Sequence, residues 1–320
     1  MSLTLRIVIA VIGLLAGHTV SAADGYPSRT VRVVVPLSAG GSADQMTRPV
    51  LERLGARLGQ QFLLENRPGA GGEIGSSTVA KAPPDGYTLL VGAAGPMLIL
   101  PELRKMSYDA QKEFVPVAWL GEVISGLAVN VNVPAKTVRE LIDIARQKPG
   151  TLAFPSAGYG TTSHLRGELL ALQGGVKFTH VPYKSNVDAV PDLVSGRVHM
   201  MFESLVFPYA RAGKLRLLAV LTEARYGEFP ETPTMREAGF PEYSIPLWYA
   251  IYAPAATPRP VQELLNREIA AILGDAEFRE KMRQQSFDMR GLTLAGVQDL
   301  LGRQRAMYQG LLKRVEIKLE

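Results

Sequence analysis

No cysteine occurs in the 320 residues. That absence excludes disulfide cross-links, thiolate metal centres and a cysteine nucleophile. Histidine is scarce too, with four in all. None of them has His-x-x-x-His or His-Glu-x-x-His spacing, so no metal is indicated. There is no run of four lysines or arginines and no basic stretch interleaved with aromatics, which argues against nucleic acid as a partner. A Gly-Lys-Ser/Thr phosphate loop and a Gly-x-Ser-x-Gly nucleophile turn are both missing, and no cofactor is indicated. Beyond the first 22 residues no stretch approaches 18 uninterrupted apolar residues, the length expected of a membrane span.

What is present is ordinary globular composition, 47% hydrophobic and 20% charged, with 31 glycines and 22 prolines. The length suggests about two domains. Arg6, the apolar run Ile7 to Gly17 and the small-residue junction Val20-Ser21-Ala22-Ala23 read as a secretory signal peptide over residues 1–22, cleaved near Ala22 or Ala23. A membrane anchor is the alternative, and the run is short for one. Cleavage removes one charge, Arg6, from 35 basic and 30 acidic residues, so the formal charge falls from +5 to +4. An exported, soluble protein is expected.

Short β-branched runs alternate with helical stripes. Thr30–Val35 is a strand; Met46, Val50, Leu54 and Leu58 give a helix over 42–58, with Pro49 predicting a kink; Phe62–Glu65 and Tyr87–Gly92 are further strands. This alternation predicts a parallel sheet covered on both faces. A second block repeats the pattern. Its strands are Gly126–Val131, Thr151–Phe154, Lys177–Val181, Arg197–Phe202 and Leu215–Leu221, and its helices lie near 137–147, 163–173 and 188–194. A strand at Trp248–Ala253 and three tail helices near 260–273, 275–285 and 294–311 complete the reading, which is two α/β lobes with the tail packed on one of them.

Two strand-to-helix loops are suited to an anion. In Leu37-Ser38-Ala39-Gly40-Gly41-Ser42-Ala43-Asp44 the glycines admit a close backbone approach, and free N–H groups open the following helix. Ser156-Ala157-Gly158-Tyr159-Gly160-Thr161-Thr162-Ser163 has the same logic in the second block. Either loop taken alone could be a turn that needs glycine for steric reasons. Two such loops, one per lobe, are more informative. A third, Asn66 to Glu73, is explained by Glu73 at a helix start. Tyr183-Lys184 could face a cleft or solvent, and Trp248, Tyr249 and Tyr252 could line a pocket, although strand alternation puts at least one of them in the core. Ser156 and His164 lack triad geometry, and His180 reads as structural.

Six segments in order carry a family resemblance: Pro36…Gly40-Gly41…Asp44; Glu65-Asn66-Arg67-Pro68-Gly69-Ala70-Gly71-Gly72; Pro84-Asp85-Gly86-Tyr87-Thr88-Leu89; Tyr108-Asp109…Phe114-Val115-Pro116-Val117; Val181-Pro182-Tyr183-Lys184; and Ala253-Pro254-Ala255…Thr257-Pro258. From about Tyr26 onward the chain resembles the Bug family, the periplasmic solute-binding receptors of tripartite tricarboxylate transporters. The resemblance implies a type II periplasmic-binding-protein fold, two α/β lobes around a ligand cleft. Lobe 1 would be 24–124 plus 247–320, and lobe 2 would be 125–246. It also implies a non-catalytic periplasmic receptor, expected to be monomeric, that hands a small carboxylate to a membrane permease. One ligand carboxylate would be held by backbone groups of Leu37 to Asp44 and Ser156 to Ser163, with Tyr183 and Glu203 as further contacts.

The chain departs from the family pattern at Leu100, Glu73, Ser185, Asp188 and Glu203-Ser204, where Asn, Asn, Gly, Pro and Asp-Asn are usual. A Glu73 facing the cleft would oppose an anionic ligand. Alternative readings are a ligand sensor feeding a two-component kinase and a secreted enzyme. The ligand itself is open between aliphatic and aromatic acids.

Overall fold

A computed structural model describes residues 25–243 and 245–317. The expected signal peptide and its cleavage point lie outside the described residues. The first unit follows the periodicity: β1 (Val31–Val35), α1 (Ser42–Leu58), β2 (Phe62–Asn66), α2 (Glu73–Ala80) and β3 (Thr88–Ala93). β1 is parallel to both β2 and β3. Its four valines are fully buried, with half-buried Arg32 the one interruption, as suits a parallel strand covered on both faces.

Helix α1 runs unbroken through Pro49, so the expected kink does not break it. Met46, Val50 and Leu54 are each fully buried. At about 1.5–3 kcal/mol apiece, their burial outweighs the roughly 3 kcal/mol cost of an internal proline. Gln45, whose carbonyl loses its partner, is exposed, so water can replace the bond.

Beyond β3 the chain forms a π turn at Gly95–Ile99 and α3 (Leu100–Leu103), then the ten-residue strand β4 (Phe114–Val123). In the second block come β5 (Gly126–Asn130), α4 (Val138–Gln147), β6 (Ala153–Ser156), α5 (Thr162–Gly174), β7 (Thr179–Pro182), α6 (Asn186–Ser195), β8 (Met200–Glu203), α7 (Val206–Arg211) and β9 (Leu215–Val220). The chain then returns as β10 (Leu247–Pro254), α8 (Arg259–Gly274), α9 (Ala276–Arg283), β11 (Phe287–Met289) and α10 (Leu294–Leu312).

The first sheet has the order β11–β4–β10–β3–β1–β2. Only β2–β1–β3 is the parallel unit expected. β10 lies antiparallel between β3 and β4, and β11 is antiparallel to β4. In the second block the expectation of parallel strands is corrected further: β5 is antiparallel to both β8 and β9, and only β6–β7 is parallel. His199 joins these two sheets. Its amide donates to Ala153 O at 2.8 Å, its Nδ1 accepts from Ala153 N at 3.0 Å, and its carbonyl accepts from Asn130 N at 2.9 Å.

The first sheet and the second block are connected by Ile124–Ser125 and by the segment from residue 221 to 246. The connections meet where Leu221 N donates to Ser125 O at 2.8 Å. Helices α8 and α9 join α1 over one face of the first sheet through Val261, Leu265, Phe278 and Met282. Helix α10 covers the other face with Val297, Leu301 and Tyr308, in one core with Trp119 and Trp248. The tail helices therefore cover the two faces of the first sheet.

Helix α4 begins where the sequence predicts. Thr137 Oγ1 accepts from Glu140 N at 3.1 Å, and Glu140 returns a bond to Lys136 N. Thr137→Ala is expected to cost about 1 kcal/mol in a chemical denaturation midpoint. An unchanged midpoint would show that the cap adds nothing.

Candidate functional site

Both glycine loops end at helix N-termini, where the first amides have no intrahelical acceptor. Gly41 caps α1 with extended backbone and no side-chain bond, and the first intrahelical amide is Gln45 N, bonded to Gly41 O at 3.0 Å. Ser42 N and Ala43 N find no protein acceptor among the described residues. Asp44 braces the loop from within: its carboxylate accepts Gly40 N at 3.2 Å and pairs with Arg48 at 2.8 Å.

The second loop is tied mainly to itself. Ser156 Oγ bonds both Gly158 N and Gly158 O at 3.0 Å and lies 2.6 Å from His180 Nε2. Thr161 Oγ1 donates to Gly158 O at 2.7 Å, and Gly160 N donates to His164 Nδ1 at 3.2 Å. Thr162 N and Ser163 N, opening α5, have no protein acceptor among the described residues. His164 and His180 stack with ring centroids 3.8 Å apart. Burial pushes them down to about 3 and about 4 respectively, with His180 adding to the shift of His164, so both are neutral at physiological pH. The serine thus pairs with His180 rather than His164, and no carboxylate among its bonds orients that imidazole.

The two loops border one small cavity between the sheets, about 50 Å³, with room for roughly three water molecules. Of the residues expected there, Leu37, Ser42, Ala157, Thr161, Thr162, Ser163 and Glu203 line it. Ser38, Ala39, Gly40, Gly41, Asp44, Ser156, Gly158 and Gly160 shape the loops without lining the cavity. Tyr183 sends its hydroxyl to Asp192 at 2.8 Å instead. The wall also includes Gly71, Ala93, Gly95, Pro96, Asn186 and Leu247, which the sequence did not point to, and Tyr249, one of the three aromatics it left between pocket and core. Tyr249 is buried in the core beside α1, with its hydroxyl 2.8 Å from Ser42 Oγ, while Trp248 and Tyr252 belong to the other core. Two larger grooves, about 520 Å³ along β2 and about 440 Å³ beside Tyr159 and Lys177, lie elsewhere.

The lobes touch around this cavity. A side chain built at Gly71 would come within 2.8 Å of Leu100 Cδ1 and 3.3 Å of Tyr159 O, and one at Gly160 would overlap Leu100 Cδ2. Gly71 and Gly160 both have positive φ, 66° and 69°. Leu100 is therefore the apolar contact between a loop of each lobe.

Among the described residues no lysine or arginine lines the cavity. Its one ionisable acid, Glu203, is 3% exposed, and its Oε1 accepts from Asn186 Nδ2 at 2.7 Å. Burial pushes its pKa up to about 7 against the opposing pull of Arg166. Arg166 is itself 1% exposed and donates to Phe202 O at 2.7 Å and to Ile245 O at 2.9 and 3.1 Å. Glu73 points away from the cavity, to Ser107 N at 2.7 Å and Arg104 at 2.6 Å. Burial works to raise its pKa, but those two partners outweigh it and hold the carboxyl below its ordinary value. Among the described residues no group of three histidines or carboxylates is placed to hold a metal ion.

The chain matches the model of the tripartite tricarboxylate transporter family receptor over residues 46–306. Protein BugT of Bordetella pertussis is 36% identical over 275 residues, 85% of this chain and 83% of that one. A Rhodopseudomonas palustris protein solved with adipate is 35% identical with a TM-score of 0.85, covering 90% of this chain and 98% of its own. MatC of Rhodopseudomonas palustris, solved with bound malate, is 29% identical with a TM-score of 0.83, covering 90% of this chain and all of the other. Paired helix N-termini around one cleft, a two-lobed fold and matches along nearly the whole chain agree: the protein belongs to the Bug family of tripartite tricarboxylate transporter receptors.

Proposed function

We propose that the protein is a periplasmic receptor that closes its two lobes on a small carboxylate and delivers it to the permease of a tripartite tricarboxylate transporter. It would act as a monomer and without catalysis. Lobe 1 is taken as 24–124 plus 247–320, and lobe 2 as 125–246. The observation that carries this reading is the convergence of two open helix N-termini, Ser42-Ala43 and Thr162-Ser163, on one cavity that has hydroxyls but no cationic side chain. Amide bonds to a charged acceptor contribute on the order of 1.5–3 kcal/mol each, so an acid group can be held without a lysine or arginine. The adipate and malate complexes of the two relatives support the same ligand class.

Closure follows if the ligand bonds both N-termini at once, because only the closed form then gains both sets of bonds. Acetate, benzoate, malate, adipate and citrate are to be screened by thermal shift on the mature chain. At least one is expected to raise the melting temperature, and its amide counterpart is expected to have no effect. Equal stabilisation by acid and amide, or by none of the five acids, would overturn the reading. Delivery predicts that a deletion strain loses uptake of the stabilising acid. Undiminished uptake would leave a sensing receptor.

A further inference from the structure

Glu203 is an odd wall for an anion site. It ends the apolar strand Met200–Glu203, is buried in the cavity, and has only one of its oxygens bonded to protein. Oε2 has no protein donor among the described hydrogen bonds, and neither Glu203 nor Asn186 brings a cation to the cavity. A ligand carboxylate confined with this group in about 50 Å³ sits close to a second carboxylate in a medium that screens poorly. Two acids so placed hold a shared proton, because both cannot stay ionised without a large repulsion.

We propose that ligand capture is proton-linked: each carboxylate admitted to the cavity brings one proton from solvent, held between Glu203 Oε2 and the ligand's acid group. The inference rests on the receptor reading above. The proton comes from water or buffer and leaves with the ligand when the lobes open, so no other reactant is needed. With the proton in place, Glu203 becomes a donor to the ligand, and the buried Arg166 guanidinium is left as the one nearby uncompensated charge, favouring an anion. The other titratable groups packed near Glu203 are Tyr243 and Tyr249, both raised by burial and neutral. His164 and His180 titrate well below this range. Glu203, pushed up to about 7 by burial, is the cavity group poised to take up a proton near neutral pH.

The test is calorimetry on the mature protein with whichever of acetate, benzoate, malate, adipate and citrate stabilises it most. Above pH 7 the affinity should fall about tenfold per pH unit, so roughly 100-fold between pH 6 and pH 9. At pH 8, titrations in two buffers of different ionisation heat should give an uptake of about one proton per ligand. Glu203→Gln, which keeps the shape and supplies a permanent donor, should bind with no pH slope. A flat wild-type profile with no proton uptake overturns the proposal, as does a slope that persists in Glu203→Gln. The buffer experiment needs no variant, so a misfolded Glu203→Gln leaves it decisive. If none of the five acids binds at any pH, the receptor reading falls first and this inference with it.

Discussion

Replacing Arg166 with methionine is expected to destabilise the protein by about 3–5 kcal/mol, with a lower denaturant midpoint and an unchanged slope. Arg166 lies on α5, yet its guanidinium reaches out of that helix in two directions, to Phe202 O on β8 and to Ile245 O on the second connection between lobes. No carboxylate pairs with it among the described salt bridges, so its charge is balanced by carbonyl dipoles and, at a distance, by Glu203. Methionine fills similar volume but leaves two buried carbonyls without donors, at about 1–3 kcal/mol each. It also leaves Glu203 without the cation that opposes the upward pull of burial. Arg166→Lys should recover only part of the loss, since one ammonium cannot span both carbonyls as a planar fork does. A methionine variant as stable as the wild type would mean that water already satisfies those carbonyls.

The same residue shows what the sequence concealed. Arg166 sits among Leu165, Leu169 and Leu170, where a lone charge reads as the solvent side of a helix; only the fold reveals that α5 is covered there by β8 and the residues after Phe240. Strand β4 was hidden by Pro116, which lacks the amide a ladder needs. It is tolerated because the β10–β4 register slips between Ile251 and Tyr252, placing the proline at an irregular step. The antiparallel pairing of β5 was illegible for another reason. Period and burial are local properties, whereas the direction of a neighbouring strand is settled by a chain segment some seventy residues away.

The two loops of the site were readable as a pair, since either alone could be a steric turn, and the structure brings both to one cavity. The remainder of the wall was not readable. Gly71, Ala93 and Gly95 contribute backbone and a methyl group at most, so no side-chain chemistry advertises them, and Pro96 and Leu247 look like any apolar residue. Glu203 was expected at the site from the family resemblance alone, and its neighbour Asn186 became visible only once α6 was placed beside β8. Leu100 was noticed as a departure from the family pattern. Its role, spanning Gly71 and Gly160, required the two lobes to be seen together.

That contact leads to the second large effect. Gly160→Leu should weaken binding of the best-stabilising carboxylate by more than about 100-fold while leaving each lobe folded. The three atoms nearest a Cβ built at position 160 all belong to Leu100 and Leu103, across the cleft. A bulky residue there acts as a wedge, and its cost falls on the closed form alone. The positive φ of 69° adds about 1 kcal/mol of strain in either form, which lowers stability a little but does not discriminate between them. A closed state raised by roughly 3 kcal/mol lowers the competent fraction by about two powers of ten, and apparent affinity falls in proportion. Gly160→Ala should do much less, because the end of the Leu100 side chain can swing aside. The sharper check is the pair Gly160→Leu with Leu100→Ala. If the clash is what matters, trimming Leu100 should restore a large part of the lost affinity, a coupling that two independent defects would not show. Full binding by the single variant, or simple addition of the two losses, would mean that the ligand is held without this meeting of Leu100 and Gly160.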